Sequence, residues 1–158
     1  MKTMRIISIL ILALTVISCN KNRIYKAENS FPDYRWDKSN ILEFTPEILD
    51  KDCDYKLTLA FRHVAGFQLK EVLVNVEITA PSGEKSVRDY KLSVYNDQNE
   101  ILSECAGDYC DLETVIENNF KFVETGKYQF KISHTMEIDP IPNAMDLGLI
   151  IDKVEQPQ

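Results

Sequence analysis

Cys19 has the most sharply specified chemistry in the chain, because Val16-Ile17-Ser18 lead directly into it at the end of an apolar run. Two aliphatic residues and a small one before a cysteine form the processing site of a lipoprotein signal. Lys2 and Arg5 supply a positive start, and Ile6 to Ile17 form a run of 12 residues interrupted only by Ser8 and Thr15. A membrane-spanning helix needs about 20 apolar residues, so this run reads as a cleaved signal and not as an anchor helix. Cleavage before Cys19 leaves the thiol to take a diacylglycerol, and acylation of the new amino group by chains such as palmitate completes the anchor. At roughly 0.8 kcal/mol per buried methylene, several chains make attachment effectively permanent.

No other constellation has a complete chemical set. The two histidines, His63 and His134, each end an alternating strand pattern. Pairing either with a cysteine would imitate a thiol dyad, but no local sequence supports it. The chain has no serine on a strand-to-helix elbow, and its five glycines form no phosphate-cradling loop. No catalytic residue and no cofactor is therefore assigned. Asp50-x-Asp52-x-Asp54 opens like a calcium loop, but Tyr55 and Phe61 stand where glycine and glutamate are required. Gly107-Asp108 with Asp111 and Glu113 offers carboxylates at a sheet end without a defined geometry, and no metal site is assigned. Phe31, Tyr34 and Trp36 cluster ahead of the first strand, where such rings either fill a core or stack on sugars. Tyr34 and Trp36 are thus candidate ligand-facing aromatics, and an exposed Trp36 would favour a glycan- or peptidoglycan-binding role.

With Cys19 lipidated, Cys53, Cys105 and Cys110 remain in an oxidising compartment, which suits one disulfide and one free thiol. Cys105 and Cys110 flank Ala-Gly-Asp-Tyr, whose glycine can reverse the chain, and this short spacing favours their pairing. A bond from Cys53 to one of them, and three free thiols, remain open.

Removing residues 1–18 leaves 140 residues, one domain with a single core. The remaining 16 Lys and Arg against 25 Asp and Glu give a charge of −9. Nucleic-acid binding needs the opposite sign, so that partner class is excluded. Asn20 to Ser30 is polar and aperiodic, and reads with Cys19 as a lipidated tether over 19–30; as a flexible coil these 11 residues span about 18 Å.

The residues beyond, 31–158, must position whatever the domain does, and their dominant period is two. Tyr55, Leu57, Leu59 and Phe61 alternate with Lys56, Thr58, Ala60 and Arg62, placing the first set in a core and the second towards solvent. Val72, Val74, Val76 and Ile78 repeat this before the turn Ala80-Pro81-Ser82-Gly83. Tyr90, Leu92 and Val94 form a third face. Tyr128, Phe130, Ile132 and His134 form a fourth, and Leu147, Leu149 and Ile151 a last one; Ile41, Leu42 and Phe44 mark an early strand. Only Asp111 to Asn118 has helical spacing, in Leu112, Val115 and Ile116 behind an Asp111 N-cap. The expectation is an all-β antiparallel β-sandwich with one short helix at most; immunoglobulin-like and jelly-roll connections are not separable by periodicity.

The order of these pieces resembles a known family. Trp36 ahead of the first strand, the Tyr55 to Arg62 strand, Ala80-Pro81-Ser82-Gly83, Tyr90-x-Leu92, Gly107-Asp108, Gly126-x-Tyr128-x-Phe130, His134-x-Met136 and Leu147-Gly148-Leu149-Ile150-Ile151, behind a lipobox, are similar to the GldH gliding-motility lipoproteins of Bacteroidetes. The resemblance implies a non-enzymatic accessory lipoprotein of gliding and type IX secretion, with other envelope lipoproteins or secretion components as partners. It implies no site residue beyond Cys19. Asn20 in place of aspartate, and Lys21-Asn22-Arg23 without acids, point to the outer membrane with the domain facing the periplasm.

Overall fold

The computed structural model describes residues 21–155. Signal residues and Cys19 lie outside the described residues. Thirteen strands run in chain order: β1 (Arg23–Ser30), β2 (Arg35–Trp36), β3 (Leu42–Phe44), β4 (Glu47–Ile48), β5 (Tyr55–Val64), β6 (Glu71–Thr79), β7 (Lys85–Ser93), β8 (Glu104–Ala106), β9 (Tyr109–Phe120), β10 (Gly126–Lys127), β11 (Gln129–His134), β12 (Ile141–Pro142) and β13 (Ala144–Lys153). The one helical element among the described residues is a single 3-10 turn, Pro32–Tyr34.

Two antiparallel sheets carry the domain. One has the order β1-β13-β5-β9-β8 and the other β3-β11-β6-β7; short ribbons β4–β10 and β2–β12 close the ends. Following the chain through β1, β3, β5, β6, β7, β9, β11 and β13, it crosses between the sheets at every step except the β6–β7 hairpin. Those eight strands make two four-stranded layers with first and last strands adjacent, which is the connection of a jelly roll and not of an immunoglobulin sandwich. The alternating positions meet between the sheets: Leu57, Leu59, Phe61, Leu147, Leu149 and Ile151 from one layer, Phe44, Val74, Val76, Leu92, Phe130 and Ile132 from the other, all buried.

Three expectations need correction. Asp111–Asn118 is not a helix: it lies in β9, paired with β5 from Val64↔Tyr109 to Tyr55↔Phe120. Its helical spacing arises where the ladder slips, Thr58 pairing with Val115 while Leu57 pairs with Glu117, so Ile116 is a bulge residue. Val115 consequently faces outward. Residues 23–30 are not a tether either, and the sandwich begins at Arg23 rather than at residue 31. β1 hydrogen-bonds along β13 from Arg23↔Asp152 to Ser30↔Asp146. It is an edge strand whose inward positions, Tyr25, Ala27 and Asn29, are only half-buried, so it needs few strong apolar residues and shows a weak pattern. Finally, Thr58 is buried at 4% exposure despite its outward register, because it lies mid-sheet between Ile150 and Val115.

Candidate functional site

Trp36 is a core residue. Paired through β2 with Ile141 of β12, it is fully buried, stacks on Phe31 with ring centroids 4.8 Å apart, and meets His134 edge-on at 5.2 Å. Its indole N–H donates to the Asn40 carbonyl at 3.1 Å, so the polar handle of the ring is satisfied internally. Tyr34, beside it in the 3-10 turn, is 53% exposed. The two rings therefore form no joint platform for a sugar.

Both histidines lie in the interior. His63 Nδ1 sits 3.0 Å from the Val64 carbonyl, which can only accept, so Nδ1 carries the proton and Nε2 accepts from the Ser103 hydroxyl at 2.8 Å. This is the contact pattern of a serine–base pair, but His63 is fully buried and Ser103 is 8% exposed. Burial pushes the His63 imidazole below its usual pKa. It is a neutral core hydrogen bond rather than an activated nucleophile. His134 is also held low by burial, opposed by Asp139, whose Oδ1 lies 3.7 Å from Nε2.

The acidic turn before β5 is tied to its own neighbours. Asp50 Oδ1 accepts the Asp52 backbone N–H at 3.0 Å and its Oδ2 pairs with Lys153 at 3.0 Å, which holds the Asp50 carboxyl below the usual range. Asp54 faces Lys121 at 3.6 Å. Among the described residues no three potential ligands converge on a metal. Cys105 and Cys110 are joined, with S–S 2.01 Å; they are register partners in the β8–β9 hairpin, around a two-residue turn in which Gly107 takes φ 67°. That sign at the first central position is what a type II′ turn demands of glycine. Cys53 is a free, half-buried thiol.

What the structure does assemble is a trough of ≈ 390 Å³ on the outer face of the five-stranded sheet. Gly148 of β13 and Ala60 of β5 are register partners and form its floor, with Glu28 and Glu113 opposite them on β1 and β9. The adjoining row is Asp146, Arg62, Asp111 and Glu104. A Cβ added to Gly148 would stand 3.0 Å from the Ala27 carbonyl oxygen, so only glycine lets β1 and β13 close this floor without displacement. Arg62 clamps Asp111 with Nε at 2.7 Å and Nη2 at 3.3 Å, and its guanidinium lies 4.9 Å from the centre of the Tyr109 ring. Burial pushes the Asp146 carboxyl up, Arg62 pulls it down, and Glu28 and Asp111 push it up again. Lys26 and Arg62 face five acids there, so the trough is a negatively charged recess without a nucleophile. Its residues come from five strands and share no motif; the one signal in sequence was Gly148 and Ala60 at outward positions of strong strands.

A second cleft of ≈ 350 Å³ opens between β7 and the end of β9, where Phe120, Phe122 and Tyr128 lie beside Arg88. Arg88 and the Tyr90 hydroxyl both donate to Glu117, closing the open side of the sandwich with a polar latch.

A jelly-roll domain with charged outer recesses and, among the described residues, no assembled catalytic set is the class of protein that fold and surface define. The chain belongs to the GldH lipoprotein family, whose model matches residues 23–151. It is a lipid-anchored protein of the cell envelope. The gliding motility lipoprotein GldH homolog of Christiangramia forsetii is 25% identical over 156 residues, covering 92% of this chain and 95% of that protein. Among solved structures, the carbohydrate-binding module TmCBM61, in complex with β-1,4-galactotriose, aligns with a TM-score of 0.31 and 15% identity over 73% of this chain. This chain spans 62% of that module, and the likeness is too slight to carry an argument.

Proposed function

We propose that the protein is a non-enzymatic accessory lipoprotein of gliding motility and the type IX secretion machinery, lipidated at Cys19 and held on the outer membrane facing the periplasm, where it stabilises or scaffolds other envelope components. The observation that carries this reading is a family match that starts at Arg23, four residues after the lipobox cysteine, and runs through the last strand. The absence of acids in Lys21-Asn22-Arg23 supports the periplasmic leaflet, and the buried Trp36 takes away the ring that a glycan-binding reading would have used.

Cys19→Ser with fatty-acid labelling and in-cell crosslinking tests it. The expected outcome is loss of label and of membrane fractionation, with the wild-type chain crosslinked to envelope proteins in fixed stoichiometry. Retained label in the variant overturns the anchor; enrichment on cell-wall material without protein partners overturns the scaffold.

A further inference from the structure

The start of β1 fixes which end of the sandwich faces the anchor. Arg23 is register partner of Asp152; Lys153 pairs with Tyr55, and Tyr55 with Phe120, so the first residues of β1 and β5 and the last of β13 and β9 lie at one end. Asn22 belongs to that end as well, its carbonyl accepting the Lys153 N–H at 2.8 Å and its amide donating to Glu155 at 2.9 Å. Arg23 is four residue steps from Cys19, which even fully extended reach only about 14 Å. The ten-residue strands β5 and β13 are about 34 Å long. A lipid on Cys19 therefore keeps this end of the sandwich within about 14 Å of the bilayer, while the far end lies a further strand length away when the strands stand upright.

We propose that this end is seated directly on the phospholipid surface. The inference rests on the lipidation of Cys19 proposed above. Two aliphatic side chains with no counterpart in the core stand out there: Leu49, 82% exposed, and Val123, 68% exposed. Both belong to this end through neighbours, since Asp50 is bound to Lys153 and Asp54 to Lys121. At the same end lies a cleft of ≈ 320 Å³ whose lining includes Lys56, Lys153, Asn118 and Asn119. Asp152, on its floor, is met by both Arg23 at 3.0 Å and Lys56 at 3.6 Å, and Asp50 by Lys153, so these two carboxylates are paired and the exposed amides of Asn118 and Asn119 are what a phosphate headgroup would meet in the cleft. Leu49 and Val123 enter the headgroup layer, and the loops at 65–70, 107–108 and 135–143 point away from it. This places the hairpin stapled by Cys105 and Cys110 at the far end, where a protein partner finds it unobstructed.

The lipidated full chain, carrying Cys53→Ser and either Leu49→Cys or Ile138→Cys, is labelled with an environment-sensitive fluorophore and reconstituted in phosphatidylethanolamine/phosphatidylglycerol vesicles containing nitroxide-labelled lipid. Ile138 lies in the far loop and is 42% exposed. The expected result is a blue shift and loss of emission for the label at 49 and neither at 138, with Val123→Cys, a separate position, behaving like 49. Equal responses at 49 and 138 overturn the docking, as does a response at 49 that grows with protein density, which assigns the face to a second copy of the chain. The mass of the N-terminal peptide is read on the same sample: an acylated peptide with equal responses sinks the docking alone, and an unacylated one sinks the anchor and the docking together.

Discussion

The two faces of the five-stranded sheet are made by alternate residues of the same strands, yet they are built on opposite rules. Inward, β5 presents Leu57, Leu59 and Phe61, all buried against the second sheet. Outward, the same strand presents Thr58, Ala60 and Arg62, and its partner β13 presents Ile150, Gly148 and Asp146. The inner face is chosen for volume; the outer face, at its centre, is chosen for smallness and charge. An outer face needed only for solubility would carry long charged chains throughout, so the glycine–alanine floor between acids marks a recess that the fold has kept open. A packed core face and an open charged recess are thus separated by a single residue along the chain.

The hardest test of that separation is Leu59→Ala, which should cost about 2–5 kcal/mol as a large-to-small change in a packed core. Urea unfolding measures it, and Ala60→Ser, one position further on and facing out, should differ from wild type by less than about 1 kcal/mol. Equal losses would mean that the outer face is structural too. Gly148→Val comes next. Its Cβ must push the Ala27 carbonyl away, and overpacking of this kind costs about 1–3 kcal/mol. The loss should be local, with faster amide exchange over Tyr25 to Asn29 while β6 and β11 keep their protection.

Acidification separates interior from surface by another route. His63 and His134 have folded pKa values depressed by burial, so the unfolded chain binds protons that the native chain refuses. Their contribution is fully present above the unfolded value of about 6.5 and is lost as pH falls from there through the folded values. Stability should therefore drop between pH 7.5 and pH 5.5, and His63→Gln should remove part of the drop. Asp146 has the opposite sign: its raised pKa favours the folded state at low pH and loses that contribution as pH rises through the folded value. Smallest of all, Arg62→Ala should change stability by less than about 1 kcal/mol, because a partly exposed pair is screened by solvent. It should still move the Asp146 titration upward in NMR, since Arg62 is the group that lowers it.

Sequence alone made the sandwich legible wherever a strand is buried on one face and open on the other. Tyr128, Phe130, Ile132 and His134 alternate in sequence and all four are buried, because a central strand between two others cannot hide its apolar residues any other way. The same logic failed at β1 and β9. An edge strand such as β1 has one hydrogen-bonded side and a half-buried face, so Ala27 and Asn29 suffice and no strong pattern is written. A bulge such as Ile116 shifts the phase of the alternation and imitates a helix, and only pairing with β5 reveals it.

The expected lipobox is read from local residue order alone, because signal processing acts on a contiguous stretch of chain, and local order likewise determined the strand faces, because the pleat repeats every two residues. Which strands become neighbours is a different kind of information. The jelly-roll connections, the packing of Trp36 against His134, and the trough that gathers Glu28, Ala60, Glu113 and Gly148 all join residues far apart in sequence. Those contacts arise from how two whole sheets share one core, a competition among many pairings of similar local strength, and no single segment carries the energy that decides it.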